Sequence, residues 1–454
     1  MLEVIVLAAG RGTRMRSDLP KVLHPLAGQP MAAHVVDTAR EIGADRIHVV
    51  VGHGADEVRA ALAADDVVFH EQTEQLGTGH AVQQAIPHCA PDSIALVLFG
   101  DVPLLAGETL APMLEIARQQ PVMLATHLDD PTGYGRVLRD DQTQFLSVVE
   151  HKDATPAQRA VREVNTGVLA AKASQLADWL AKVGNDNAQG EYYLPDVLQI
   201  ARDDGWSVAV HVAADANETA GVNDRAQLEQ LERTLQEQQA LALLRDGVAL
   251  ADRRRIDIRG ELVCGRDVFI DVNVVIEGRV VLGDGVRIAA NCVLRDSELG
   301  DSTEVEPFSY LDGARVGARC RIGPYARLRP GSALDDAARI GNFVETKNAK
   351  IGAGSKANHL AYIGDAVVGA GSNVGAGTIT CNYDGVNKHR TVLGDDVFVG
   401  SNSTLVAPVT IENGGFVGAG STITKAVAAD QLGIGRAKQR NIDGWQRPTK
   451  NRED

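Results

Sequence analysis

The chain has 454 residues, 44% of them hydrophobic, which is enough for large packed cores. Its formal net charge of -15, from 45 Lys and Arg against 60 Asp and Glu, gives nonspecific nucleic-acid binding little electrostatic support. No run of 18 or more apolar residues occurs, so no membrane helix is expected, and the short apolar N-terminal run without a basic lead reads as a first strand and not as a signal peptide. The five cysteines, Cys89, Cys264, Cys292, Cys320 and Cys381, form no CxxC pair and are odd in number. Free thiols in a reducing cytoplasm are the simplest account.

Residues 1–223 read as an α/β domain. Apolar, β-branched runs at 3–7, 46–51 and 94–99 predict buried strands, with helices at 31–42, 55–64 and 78–86 between them. That alternation predicts a Rossmann-like, mostly parallel sheet covered on both faces, with ligands gathering beyond the C-terminal ends of its strands. Two such ends carry informative residues. The segment Leu7-Ala8-Ala9-Gly10-Arg11-Gly12-Thr13-Arg14-Met15 lets the backbone approach a ligand, and its N–H groups can cradle phosphate oxygens. It lacks the Walker A ending and the dinucleotide fingerprint, and alone it reads equally as a structural turn. Phe99-Gly100-Asp101-Val102-Pro103 ends an apolar strand, so Asp101 is either a Mg²⁺ ligand at the sheet edge or a helix cap.

Residues 224–250 contain no Gly or Pro until their end and place Leu228, Leu231, Leu235, Ala242 and Leu243 near helical spacing, which predicts one long linker helix. From residue 251 to 454 the period changes. Aliphatic residues recur every six positions: Ile270, Ile276, Leu282, Ile288 and Leu294, then Val316, Ile322, Leu328, Leu334 and Ile340, then Leu393, Val399, Leu405, Ile411, Val417 and Ile423. A sustained hexapeptide period predicts a triangular coil with the aliphatic side chains stacked inside. Residues 380–390, TCNYDGVNKHR, interrupt it as a polar insertion that either covers a site or is a plain surface loop. His359 stands between a general-base role and an ordinary surface role. No zinc-like His/Cys spacing accompanies it, so acetyl transfer there is not expected to need a metal.

In chain order, LAAGRGTRM with Pro20-Lys21, QLGTGHA, GDVPL, GYGR, VEHKDA, NTG and GVN resemble the motifs of bacterial sugar nucleotidyltransferases. The hexapeptide half narrows the resemblance to the bifunctional N-acetylglucosamine-1-phosphate uridyltransferase and glucosamine-1-phosphate acetyltransferase family, over essentially the whole chain. The resemblance implies a left-handed parallel β-helix at residues 251–454 and a cytoplasmic homotrimer without membrane or nucleic-acid partners. It implies that the C-terminal domain acetylates glucosamine 1-phosphate from acetyl-coenzyme A. The N-terminal domain would then transfer UMP from UTP to N-acetylglucosamine 1-phosphate, making UDP-N-acetylglucosamine for peptidoglycan and lipopolysaccharide synthesis.

Site roles follow from the same resemblance. Leu7, Ala8, Ala9, Gly10, Gln72, Gly77 and Thr78 would hold the uracil and ribose end, and Arg14 and Lys21 would face the triphosphate. Phe99 and Gly100 would stand beside them, while Gly135, Glu150 and Asn165 would hold the N-acetylglucosamine moiety. Asp101 and Asn223 would bind Mg²⁺. The family often has Tyr where this chain has Phe99, so that hydroxyl is missing. In the coil, His359 would be the general base, with Arg329, Lys347, Tyr362 and Asn373 on the amino sugar and its phosphate. Ala376, Ser401, Ala419 and Arg436 would contact acetyl-coenzyme A, with Asn382 and Tyr383 of the inserted loop placed between it and the amino sugar.

Overall fold

A computed structural model describes residues 1–450, which divide into two compact units after Gln238. In the first unit a sheet runs in the order Ala209–Val212, Val122–His127, Glu163–Lys172, Ile94–Phe99, Leu2–Ala8, Arg46–Val51, Val67–Glu71. Adjacent strands are parallel except at Glu163–Lys172, which is antiparallel to both neighbours. The central strand is apolar on both faces because both are covered. Val4 and Val6 pack toward the helices Met31–Glu41 and Gly107–Ala117. Ile5 and Leu7 pack toward Thr78–Ala85, Ala173–Leu180 and Asp196–Asp203. A hairpin of Arg136–Arg139 and Phe145–Val149 extends this sheet beside Glu163–Lys172.

The long helix spans Arg225–Arg245. Leu231 is buried with Met15, Leu26, Met31 and Val222 in the first unit, and Leu228 and Leu235 pack against that group. Ala240 and Leu243 belong to the apolar interior of the second unit.

The second unit is a parallel β-helix. Ile256 pairs with Val274 and Phe269 with Arg287, so one circuit takes 18 residues, three hexapeptides. Where a hexad is one residue short the circuit drops to 17, as at Val281 with Glu298. All sixteen residues of the three aliphatic series are buried. Fully burying one such side chain stabilises by about 1.5–3 kcal/mol, so the stacked column supplies most of the driving force that a chain poor in aromatics needs. Ala366 pairs with Thr391, a circuit of 25 residues. The excess is the polar insertion, which leaves the wall as a loop closed by an antiparallel bridge between Tyr383 and Lys388.

Candidate functional sites

At the C-terminal end of the central strands in the first unit, Leu7, Ala9, Gly10, Lys21, Gln72, Gly77, Thr78, Phe99 and Asp101 line one cavity of about 290 Å³. A second cavity of about 260 Å³ shares Thr78, Phe99 and Glu191 with it and is lined further by Gly135, Glu150, Asn165 and Gly167. The residues expected for the nucleotide and for the sugar therefore lie on two sides of one boundary, formed by the Phe99 ring. That ring packs on Gly167, where a β-carbon would fall 2.6 Å from Phe99 Cε2. Gly167 also has φ +87°, so the turn after Asn165 needs glycine for both backbone and space. Asn165 fixes this turn, its Oδ1 accepting from the Gly167 N–H at 3.0 Å.

The Gly77 backbone opens the helix Thr78–Ala85 with φ +113°, and a β-carbon there would lie 2.6 Å from Tyr192 O. Gln72 Nε2 donates to Gly77 O at 3.1 Å, and Thr78 Oγ1 accepts from the Leu194 N–H at 3.1 Å. Gln75, inside a motif of the sequence but given no role there, donates its Nε2 to Ala9 O at 2.7 Å and anchors the glycine-rich turn. Ala8 is buried in the strand itself.

Lys21 makes an ion pair with Asp101, both side chains mostly buried. The Asp101 carbonyl accepts from the Val222 N–H at 2.9 Å, which brings Asn223 to the same edge. Asn223 Oδ1 accepts from Arg14 Nη2 at 2.8 Å. Two cations, a carboxylate and an amide oxygen thus meet at one sheet edge. Two protein oxygens suit Mg²⁺, which keeps water and takes phosphate oxygens for its remaining positions. Glu150 lies over Gly135, where a β-carbon would meet Glu150 Oε1 at 2.9 Å. Burial, with the charges of Asp196 and Asp153 adding, raises the Glu150 carboxyl above its ordinary range.

In the second unit His359 is exposed, and its Nδ1 lies 2.6 Å from Asn342 Oδ1. An Nδ1–H donating to that oxygen leaves the Nε2 lone pair free as a base. Asn342 pairs with His359 across adjacent circuits. Continuing the register through Lys356 with Asn373, Val374 with Val399 and Val399 with Val417 puts His359, Ala376, Ser401 and Ala419 at one corner position on successive circuits. At strand spacing of about 4.8 Å this row is roughly 14 Å long. Arg436 lies at the end of this stretch, its Cδ 3.9 Å from where a Gly420 β-carbon would be.

Arg329 donates to Glu345 Oε1 at 2.8 Å. Lys347 lies beside Lys388, whose charge holds its ammonium below the usual value, with Arg329 adding in the same sense. Such a cation group favours a dianionic ligand. Asp365 is its counter-charge. Burial alone would raise its carboxyl, but hydrogen bonds from Asn348 and Asn382, with the charges of Lys388 and Lys347, outweigh that and hold it low. Asn382 is therefore buried and tied into the wall, while Tyr383 is exposed and donates its hydroxyl to Gly385 O at 2.6 Å. Tyr362 pairs with Ile379, and Asn373 with Lys356 and Phe398, both half-buried on the wall. Asn342, Asp365 and Lys388 were not singled out from sequence. The signal for Asn342 was its position 17 residues before His359, one short circuit away.

Residues 4–252 match the MobA-like NTP transferase domain model, and residues 262–296 and 390–425 match the bacterial transferase hexapeptide repeats. The chain is 57% identical over 450 residues to the bifunctional protein GlmU of Stutzerimonas stutzeri, covering 99% of each chain. It is 55% identical to that of Cupriavidus pinatubonensis, again over 99% of each, and 56% identical to that of Cellvibrio japonicus, over 99% of this chain and all of that one.

Proposed function

The chain belongs to the family of bifunctional GlmU proteins, and from that premise we propose the following division of its two activities. The second unit acetylates glucosamine 1-phosphate from acetyl-coenzyme A. The first joins the resulting N-acetylglucosamine 1-phosphate to UMP from UTP, releasing pyrophosphate. The observation that carries this reading over a uridylyltransferase with an inert coil is the corner row headed by His359, with its Nδ1 held by Asn342.

In the first unit the sugar phosphate is already a charged nucleophile and needs no strong base; catalysis is alignment and charge neutralisation. Lys21 and Arg14 take phosphate oxygens, Gln72, Gly77 and Thr78 hold the base and ribose, and Glu150 and Asn165 orient the sugar across the Phe99 boundary. Asp101 and Asn223 would hold Mg²⁺, which when bound neutralises charge on the triphosphate. Lys21 then exchanges its Asp101 partner for phosphate.

In the second unit His359 Nε2 accepts a proton from the amine of glucosamine 1-phosphate as the nitrogen attacks the thioester carbon; the coenzyme A thiolate leaves and takes up a proton. Arg329, Lys347 and Lys388 hold the phosphate, with Tyr362 and Asn373 on the sugar. The coenzyme's extended arm runs along Ala376, Ser401 and Ala419 toward Arg436. A cytoplasmic homotrimer, in which neighbouring coils complete each site, belongs to the same proposal.

One coupled assay tests it. Purified protein, glucosamine 1-phosphate, acetyl-coenzyme A, UTP and Mg²⁺ are combined and the products resolved by mass. His359→Ala is expected to abolish acetylation and to retain UDP-N-acetylglucosamine formation from added N-acetylglucosamine 1-phosphate. Unchanged acetylation removes His359 from the mechanism.

A further inference from the structure

The first unit holds a second polar cluster that uridylyl transfer leaves unused. Glu3 lies at the start of the central strand, His48 on the neighbouring strand opposite Ile5, and Cys89 just after the turn Ile86–His88. They are only 2%, 0% and 8% exposed. One ligand atom from each lies within 4.8 Å of the others.

A buried carboxylate, imidazole and thiol are costly unless their polar atoms are satisfied. Here they are half satisfied. Glu3 Oε2 accepts from the Ala90 N–H at 2.7 Å and the Ser93 hydroxyl at 2.6 Å. Glu3 Oε1 sits 3.7 Å from His48 Nε2, beyond hydrogen-bond reach. His48 Nε2 is buried with no hydrogen-bond partner. The far side of the same ring is engaged, His48 Nδ1 lying 2.9 Å from His70 Nε2. With Nδ1–H donating to His70, a bare Nε2 lone pair is left facing Glu3 and Cys89, as in imidazoles whose outer nitrogen is fixed so that the inner one can bind a metal.

We propose that Glu3, His48 and Cys89 bind one Zn²⁺ ion, at a site separate from the nucleotide cavity. Two ligands on a tetrahedral zinc stand about 3.4 Å apart, close to the separation of Glu3 and His48 here. The charges also balance: a carboxylate and a thiolate neutralise the dication, and the imidazole stays neutral. The sulfur and nitrogen donors select zinc over Mg²⁺ or Ca²⁺, which prefer oxygen. Without a cation, burial, with the Glu3 carboxylate adding, pushes the Cys89 thiol up to about 12. Binding therefore releases the thiol proton. Glu3 is four strand residues from Leu7, about 13 Å, so the ion acts as a staple and not in the reaction. It would tie the first two strands of the sheet to the segment that follows the helix Thr78–Ala85. His70, with the exposed His88 ring stacked on it at 4.6 Å between centroids, positions His48.

The test uses the full-length protein, stripped of metal by a chelator and titrated with Co²⁺ in excess Mg²⁺. The expected result is about one Co²⁺ per chain with a sulfur-to-cobalt charge-transfer band that Zn²⁺ displaces. Cys89→Ser loses the band, while Cys264→Ser and Cys381→Ser keep it. His70→Ala keeps it but binds about 10- to 100-fold more weakly. Should Cys89→Ser fail to fold, alkylation of the wild type decides: Zn²⁺ protects the peptide carrying Cys89. No charge-transfer band, its survival in Cys89→Ser, or protection of a different cysteine overturns the proposal.

Discussion

Asn342→Ala isolates the contact that prepares the proposed acetyl-transfer base. Asn342 Oδ1 lies 2.6 Å from His359 Nδ1, one circuit away, and touches the reaction only through that ring. When His359 takes the substrate proton, the hydrogen bond becomes charge-assisted. Such bonds contribute about 1.5–3 kcal/mol, or about 10- to 150-fold in rate at about 1.4 kcal/mol per tenfold. Because the ring is exposed, water replaces part of the lost partner, and the expected fall in kcat for acetylation is near the lower end, about 10-fold. Asn342→Asp keeps an acceptor in place and is expected to recover most of the rate. Release of the coenzyme A thiol follows acetylation, and pyrophosphate release from UTP and N-acetylglucosamine 1-phosphate follows the other half. Added to His359→Ala, the Asn342 change should cost nothing further, since the two act as one unit. The reasoning fails if Asn342→Ala acetylates within twofold of wild type, or if Asn342→Asp is as slow as Asn342→Ala.

Asp101→Ala, or a chelator added to the wild type, is expected to eliminate pyrophosphate release while coenzyme A release continues, because the proposed metal ligands all lie in the first unit. Gly167→Ala forces an L-residue to φ +87° and drives a methyl into the Phe99 ring. At about 1–2 kcal/mol for the backbone alone, the first unit should lose roughly 2–8 °C in Tm, and uridylyl transfer should fall with acetylation unaffected, read by calorimetry and the two assays. Glu150→Gln tests a raised carboxyl. Folding favours its protonated form, so the stability it lends is present at low pH and is lost as pH rises through its elevated folded value. The amide variant should therefore melt higher than wild type at and above neutral pH, with the gain vanishing toward the ordinary carboxylate range. Sugar binding should weaken in the same variant.

The coil was legible because its period is local: six residues fix where each aliphatic side chain points, and Ile270, Leu328 and Val417 are buried as that period requires. The sheet was legible only in part. Residues 46–51 and 94–99 announce themselves as apolar runs, whereas Val67–Glu71 carries Phe69, His70 and Glu71 and takes its strand form from pairing with Arg46–Val51. Glu163–Lys172 is likewise half polar at its start, and its antiparallel direction is a tertiary fact. Ordered motifs announced Asp101, Lys21 and Glu150, but Asn342, Asp365 and Lys388 carry no motif. Glu3, His48 and Cys89 are separated by tens of positions, and only strand pairing brings them together.

The circuit length of the coil has a consequence for how the polypeptide reaches its final form. Every rung finds its neighbour 17, 18 or, once, 25 residues away, so each addition closes a short loop and assembly can zip rung by rung from any nucleus. The open sheet has no such shortcut, since Leu2 must wait for Ile94. A ribosome emitting this sequence thus releases the slow, long-range half first and the self-templating half last, and refolding from denaturant should show two phases with the coil ahead of the sheet.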